Sequence, residues 1–279
     1  MPSARCSMLD RAPQDDPASK VRPVAFRGAG FMPGGGRMAG WVALALVIAL
    51  WQLAGSAGWV SQLFLPSPSA IAMAIYKLAM SGALWQHVSA SIVRIGLGWL
   101  LGTVAGVIVG FGIGLSTVAR GVGITFISAL FPIPKIALLP LLILWLGIGE
   151  EPKIATIALG VFFSTAISVY SGVDAVPRNL IRMAQSFNVP FDAIVRRVIW
   201  PGALPSILAG FRITASVALL LVVSAEMIGA QFGIGAFVLQ AGNLMQTDQL
   251  LAGVVILSLF GLAVGKAINM LEAKLLHWR

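Results

Sequence analysis

The sequence predicts an all-α polytopic membrane protein of about six spanning helices, with one polar helical hairpin displayed on the cytoplasmic side. Three observations predict it. Hydrophobic residues make up 58% of the 279 positions and charged residues 10%, with a mean hydropathy of +0.92, too little polar surface for a soluble domain. Apolar runs of roughly bilayer length, about 20 residues, recur along the chain. Basic residues gather at the alternate ends of those runs, which gives the zigzag an orientation.

Residues 1–37 mix Pro, Gly and Ser with Arg5, Arg11, Lys20, Arg22, Arg27 and Arg37, and read as a disordered cytoplasmic tail. An early apolar core and a small-residue cleavage site are missing there, so no cleavage is expected. Residues 38–279 form the transmembrane domain. Met38 to Ser56 is the first span. In Leu65-Pro66-Ser67-Pro68-Ser69 two prolines forbid regular helix, and Ser69 can cap a short helix from Ala70 to Ser81. That helix is too short to span and is expected along the outer interface.

The second span begins near Val93 and carries Gly98, Gly102, Gly106, Gly110 and Gly114 at an unbroken spacing of four. In lipid such a row lets another helix approach backbone to backbone, either as a static crossing or as a rocking contact. A short turn with Arg120 is expected between Ser116 and Gly123. Pro132, Pro134 and Pro140 interrupt Ile124 to Leu146, which shrinks the third span to Ile136 to Ile148. A polar turn from Gly147 to Lys153 leads to a fourth span, Ile154 to Tyr170. Ser206 to Ala230 is the fifth, Gln231 to Gln249 an outer loop, and Leu250 to Leu271 the sixth, before a short basic tail.

The stretch from Ser171 to Leu204 interrupts this pattern with Asp174, Arg178, Arg182, Asp192, Arg196 and Arg197. Its apolar residues keep helical spacing twice: Leu180, Met183, Ala184 and Phe187, then Phe191, Ile194, Val195 and Val198. Asn188-Val189-Pro190 breaks the two helices apart, since Asn accepts a left-handed conformation and Pro can start a helix. Fourteen basic residues, in the N-terminal tail, the Arg120 turn, this hairpin and the C-terminal end, fall on one side. The other side holds Lys77 and Lys153. Both termini and the hairpin are therefore expected in the cytoplasm.

Several function classes are excluded. The basic residues sit at the ends of apolar segments, not on a soluble face, which argues against nucleic acid. Cys6 alone cannot make a disulfide framework, and His87 and His277 lack companions at metal-ligand spacing. Gly261-Leu262-Ala263-Val264-Gly265-Lys266-Ala267 is one residue short of a phosphate-binding loop, ends in Ala and lies inside a span. No metal, catalytic constellation or bound cofactor is expected, and the chain is read as a non-enzyme. The charges inside spans are the remaining pointers, because an ionisable group in hydrocarbon is costly unless paired. Arg94, near the outer start of the second span, and Glu226, near the outer end of the fifth, can pair, either to pin two helices or to serve an outer gate. Arg212 is expected to snorkel to the inner interface.

The run Arg182-Met183-Ala184, Asn188, and Val198-Ile199-Trp200-Pro201 resembles the EAA loop of binding-protein-dependent ABC import permeases, whose pattern is E-A-A, three residues, G, nine residues, I-x-L-P. The spacing matches throughout. Arg182 stands where the family has an acidic residue, Met183 for the first Ala, Asn188 for Gly and Trp200 for Leu. Trp51-Gln52-Leu53-Ala54, Leu84-Trp85-Gln86-His87, Ala137 to Glu150, Pro201 to Pro205 and Met245-Gln246-Thr247-Asp248 are similar to the sulfonate, taurine and nitrate branch, closest to aliphatic sulfonate permeases.

The resemblance implies a type I ABC importer permease fold in the bacterial inner membrane and a permease homodimer. ATPase subunits that use ATP would grip a coupling loop of about residues 171–205 through Arg182, Met183, Ala184, Gln185, Asn188, Pro190 and Pro201. A periplasmic or lipid-anchored binding protein would deliver a small anion, most simply an aliphatic sulfonate, with nitrate or taurine as alternatives. From residues alone, a secondary transporter or a membrane scaffold also stays open.

Overall fold

The computed structural model describes residues 36–275, so the tail expected over residues 1–37 falls outside it except for its last two residues. All regular structure among the described residues is helical. By internal contacts the chain divides into two units, Met1–Leu50 and Trp51–Arg279. Helix α1 (Gly36–Ser56) begins in the first and has no charged residue after Arg37.

In the second unit, α2 (Pro68–Met80) starts one residue before Ser69, and its cap is Ser67, whose Oγ accepts the Ala70 N–H at 3.4 Å. The expectation for Ser69 fails because Pro68 fits the first helical position, where its fixed φ and missing N–H cost nothing. The Ser69 N–H is taken by Gln52 Oε1 at 3.0 Å.

Helix α3 (Ala83–Leu115) starts ten residues before Val93. Its 33 residues reach about 50 Å at 1.5 Å per residue, beyond the hydrocarbon core. The expected turn at Ser116–Gly123 contracts to Ser116, which caps α4 (Thr117–Leu130), so Arg120 sits in the first turn of a helix. The stretch expected to hold the third span is broken: α4 meets Lys135–Leu146 at a bend of 84°. That second limb is one 3-10 turn, Lys135–Leu138, followed by α5 (Leu139–Leu146), which ends short of Ile148. Lys135 Nζ occupies the bend, donating to the carbonyls of Leu130, Phe131 and Ile133 at 2.7–3.0 Å.

Helix α6 (Glu151–Asp174) carries the answer to the glycine row. A Cβ on Gly98, Gly102, Gly106, Gly110 or Gly114 would come within 2.4–2.8 Å of α6, against Ile157, Val161 and the Ala158 carbonyl, Thr165, Val169 and Val173 in turn. Those five α6 residues also recur every four positions. A ridge of β-branched side chains therefore lies in a glycine groove, the interdigitation of two i±4 rows. Gly160 and Gly172 on α6 and Gly210 on the ninth helix, α9 (Trp200–Gly229), repeat the device against Leu221, Ser206 and Ser168. Helices α3, α6 and the ninth form the core of this unit.

The hairpin consists of α7 (Arg178–Ser186) and α8 (Phe191–Ile194), with Asn188 between them at φ +53°. Contrary to expectation, the second limb is not a short helix separate from a fifth span beginning at Ser206. It runs from Phe191 to Gly229 as one 39-residue helix. A π turn, Val195–Ile199, precedes α9 (Trp200–Gly229), and the Trp200 N–H bonds the Val195 carbonyl five residues back. This widened turn accommodates Pro201, which has no N–H for its own turn. The expected outer loop contains α10 (Ile234–Asn243), half of it buried, before α11 (Thr247–Leu275). Five helices are long and apolar enough to cross a membrane, or six if the bent pair counts as one.

Candidate functional site

Arg94 lies in the first half of α3 with 3% of its side chain exposed, and Glu226, three residues from the end of α9, is fully enclosed. Arg94 Nη1 donates to Glu226 Oε1 at 2.7 Å and to the Phe232 carbonyl at 2.6 Å. Ser91, one turn before Arg94, donates its hydroxyl to the same Glu226 oxygen at 2.7 Å. The Gly235 N–H reaches Glu226 Oε2 at 2.9 Å. Every oxygen of this buried carboxylate therefore has a donor, the condition under which a charge survives burial.

Two glycines make that enclosure possible. Gly233 has φ +140°, and a Cβ there would stand 2.3 Å from Glu226 Cδ. At Gly235 a Cβ would stand 2.5 Å from the Val223 carbonyl. The loop after α9 thus folds directly over the carboxylate. His87 Nδ1 holds the same loop through the Gly233 backbone at 3.0–3.2 Å, and its ring lies against Phe237.

A third element completes the cluster. Glu150, in the turn before α6, grips the Nε and Nη2 edge of Arg94 with both oxygens, the Nη2–Oε1 distance being 2.9 Å. Lys153, 6% exposed, donates to Glu150 Oε1 at 3.1 Å. The Arg94 hydrogen bonds push the Glu150 carboxyl down to about 2 from 4.5, outweighing the opposing effect of burial, and the Lys153 bond adds a lesser push in the same direction. A bidentate Arg–carboxylate pair is the strongest geometry available to these groups. An open cavity of about 580 Å³ lies against Arg94 and Glu150, walled by Gln86, Ser89, Ala90, Val93 and Phe232.

Sequence reasoning paired Arg94 with Glu226 but missed Glu150, which sits beside Glu151, Pro152 and Lys153 and looks like any polar turn. Arg212 is elsewhere: its Nη2 pairs with Glu272 at 2.5 Å, both side chains partly exposed. No group of three or more potential metal ligands occurs among the described residues.

The hairpin forms a separate surface. Arg182, Met183 and Gln185 are exposed, while Ala184 packs beside Ile181 on a cluster that includes Val173, Val176, Ile194 and Ile199. The Asn188 N–H bonds the Gln185 carbonyl at 2.9 Å and the Val189 N–H bonds the Ala184 carbonyl at 3.1 Å, which closes the turn. Pro190 is the residue before α8, and Pro201 lies in the first turn of α9. Leu180, Met183 and Phe187 do not join Ala184 on its buried face, as their spacing suggested. They are exposed, as is Phe191, so this apolar surface of the hairpin points away from its own bundle. Arg182 makes no ion pair among the described residues.

A family model described as the inner membrane component of binding-protein-dependent transport systems matches residues 102–277. The chain is 36% identical over 244 residues to SsuC of Bacillus subtilis, named for aliphatic sulfonates transport, with 88% of each chain covered. It is 37% identical over 242 residues to SsuC of Escherichia coli, covering 87% of this chain and 92% of that one. It is 36% identical over 240 residues to TauC, a taurine transport system permease protein of Escherichia coli, covering 84% of this chain and 87% of that one. Among solved structures, the inward-facing MetNI methionine ABC transporter superimposes with a TM-score of 0.62 at 21% identity, over 71% of this chain and 98% of that one. At that identity the likeness is one of fold.

Proposed function

This chain belongs to the family of inner membrane components of binding-protein-dependent transport systems, and we propose that two copies of it line a path for a small organic anion, first an aliphatic sulfonate. Taurine is the alternative that the 36% identity to TauC supports, and nitrate the one implied by the wider branch. The chain is a permease subunit of an ABC importer with the type I fold. In this reading it sits in the bacterial cytoplasmic membrane with both termini inside, separate ATPase subunits hydrolyse ATP, and a periplasmic or lipid-anchored receptor supplies the substrate.

The observation that carries the reading is the hairpin. An exposed apolar surface of Leu180, Met183, Phe187 and Phe191, flanked by Arg178, Arg182, Arg196 and Arg197, is continuous with a core helix. That is the form of a handle: a patch for a soluble partner, joined by covalent helix to the bundle. A channel or secondary transporter has no need of one.

The test is reconstitution in proteoliposomes with the ATPase and receptor, followed by uptake of ethanesulfonate, taurine and nitrate. ATP-dependent uptake is expected, abolished by Ala184→Leu with insertion intact. Uptake by the chain alone without ATP would replace the reading with a secondary transporter. Silence with every partner present would leave a scaffold.

A further inference from the structure

Arg94 is held unequally on its two sides. Its Nη1 is tied to Glu226 and to the Phe232 carbonyl, groups locked into the bundle. Its Nε and Nη2 edge is closed by Glu150, whose side chain is 54% exposed. Glu150 ends a short exposed turn in which Gly147 has φ +84° and Ile148 is almost entirely exposed. The cavity of about 580 Å³ opens at this same edge.

Charge gives the chemistry. Arg94, Lys153, Glu150 and Glu226 sum to zero, and both cations touch Glu150. Withdrawing Glu150 leaves one net positive charge on a buried guanidinium edge that matches two coplanar acceptor oxygens. One monoanion with oxygens at one end restores neutrality, whereas a dianion overshoots. Gln86 and Ser89 on the cavity wall offer polar groups, and Ala90, Val93 and Phe232 offer room for a short apolar chain.

We propose that Glu150 is a built-in stand-in for the transported anion: the head of a monoanionic substrate displaces the Glu150 carboxylate from the Nε and Nη2 edge of Arg94, and Glu150 returns when the substrate leaves. The site rests on the anion-permease reading above and gives that reading an address. It also gives the path an outer closure that opens only when a suitable anion takes the place of the carboxylate.

The test is titration calorimetry on the full chain in lipid nanodiscs, with ethanesulfonate, sulfate and the neutral ethanesulfonamide as probes. Glu150→Gln removes the competing charge and keeps the shape, so ethanesulfonate should bind at least about tenfold more tightly than to the unaltered chain. Sulfate should gain less and ethanesulfonamide nothing. Arg94→Lys on the Glu150→Gln background should lose the gain, because an ammonium has no fork. Equal affinity in the presence and absence of the Glu150 charge, or an equal gain for ethanesulfonamide, overturns the proposal. A second readout needs no variant: ethanesulfonate should increase water-soluble carbodiimide labelling of Glu150, and unchanged labelling counts against displacement. The two readings fail separately. An assembled importer that carries no organic anion, beside a Glu150→Gln chain that gains affinity, removes the transport reading and keeps the site. Sulfonate uptake without any such gain does the reverse.

Discussion

Arg94 Nη1 and Glu226 Oε1 stand 2.7 Å apart although 132 residues separate them in the chain, and neither side chain has more than 3% of its surface open. The pair joins α3 to α9, and Phe232, Ser91 and Gly235 complete its hydrogen bonds. Removing Arg94 strands the enclosed Glu226 carboxylate, whereas removing Glu226 leaves Arg94 still paired with Glu150. Arg94→Met should therefore lower unfolding stability in detergent by about 3–5 kcal/mol, read by thermal unfolding, and Glu226→Leu by less. The double variant Arg94→Met, Glu226→Leu should cost less than the sum of its two parts, and strict additivity would show that the charges do not depend on each other.

The glycine groove gives a paired comparison. A Cβ at Gly102 would lie 2.4 Å from the Ala158 carbonyl, so Gly102→Ala must push α3 and α6 apart and should cost about 1–3 kcal/mol. Gly112, on the same helix, has nothing within 4 Å. Gly112→Ala should be neutral or stabilising by about 0.5–1 kcal/mol, since Ala is the better helix former. Size-exclusion melting curves of the two variants, run side by side, separate tight packing from general sensitivity of α3.

Acid should expose the role of Glu150. Its carboxyl is depressed to about 2 in the folded chain from 4.5, chiefly by the Arg94 hydrogen bonds. Its contribution is then complete above pH 4.5, shrinks as the unfolded chain takes up a proton that the folded chain refuses, and is gone below about 2. With 54% of the side chain exposed, solvent screening keeps the effect modest. The stability gap between the unaltered chain and Glu150→Gln should hold steady from pH 7 to pH 5 and narrow below it. A gap that widens in acid contradicts the assignment.

Asn188, at φ +53°, turns the hairpin. Asn188→Gly should leave folding and ATP-driven uptake unchanged, because Gly adopts that conformation freely. Asn188→Val should cost about 1–2 kcal/mol locally and speed proteolysis of the hairpin in membranes. Equal protease sensitivity of the two variants would mean that the turn does not depend on this conformation.

The long apolar runs were legible because each crossing of the hydrocarbon core demands about 20 apolar residues, and the Arg94–Glu226 pair because two opposite charges in spans need each other. Glu150 was not, since only the folded chain brings its turn to Arg94. The partner of the glycine row was legible in principle: Ile157, Val161, Thr165, Val169 and Val173 repeat at the same spacing as the glycines they meet. Helix α10 stayed hidden in a stretch with Gly233, Gly235, Gly242 and Asn243, where burial of Ile234, Ala236 and Phe237 overrides weak local propensity. The join of the hairpin to the fifth span was not legible either: a π turn ahead of Pro201, and the place of Pro205 near the helix start, let one helix run through both.

That continuity has a mechanical side. Phe191 at the exposed foot and Glu226 near the far head belong to a single rod of 39 residues, about 58 Å end to end. Its only widened turn lies at the foot, at Val195–Ile199, and Pro205 follows within two turns. Flexure is thereby concentrated near the foot, and the stiff remainder delivers whatever tilt is imposed there to the carboxylate at its head.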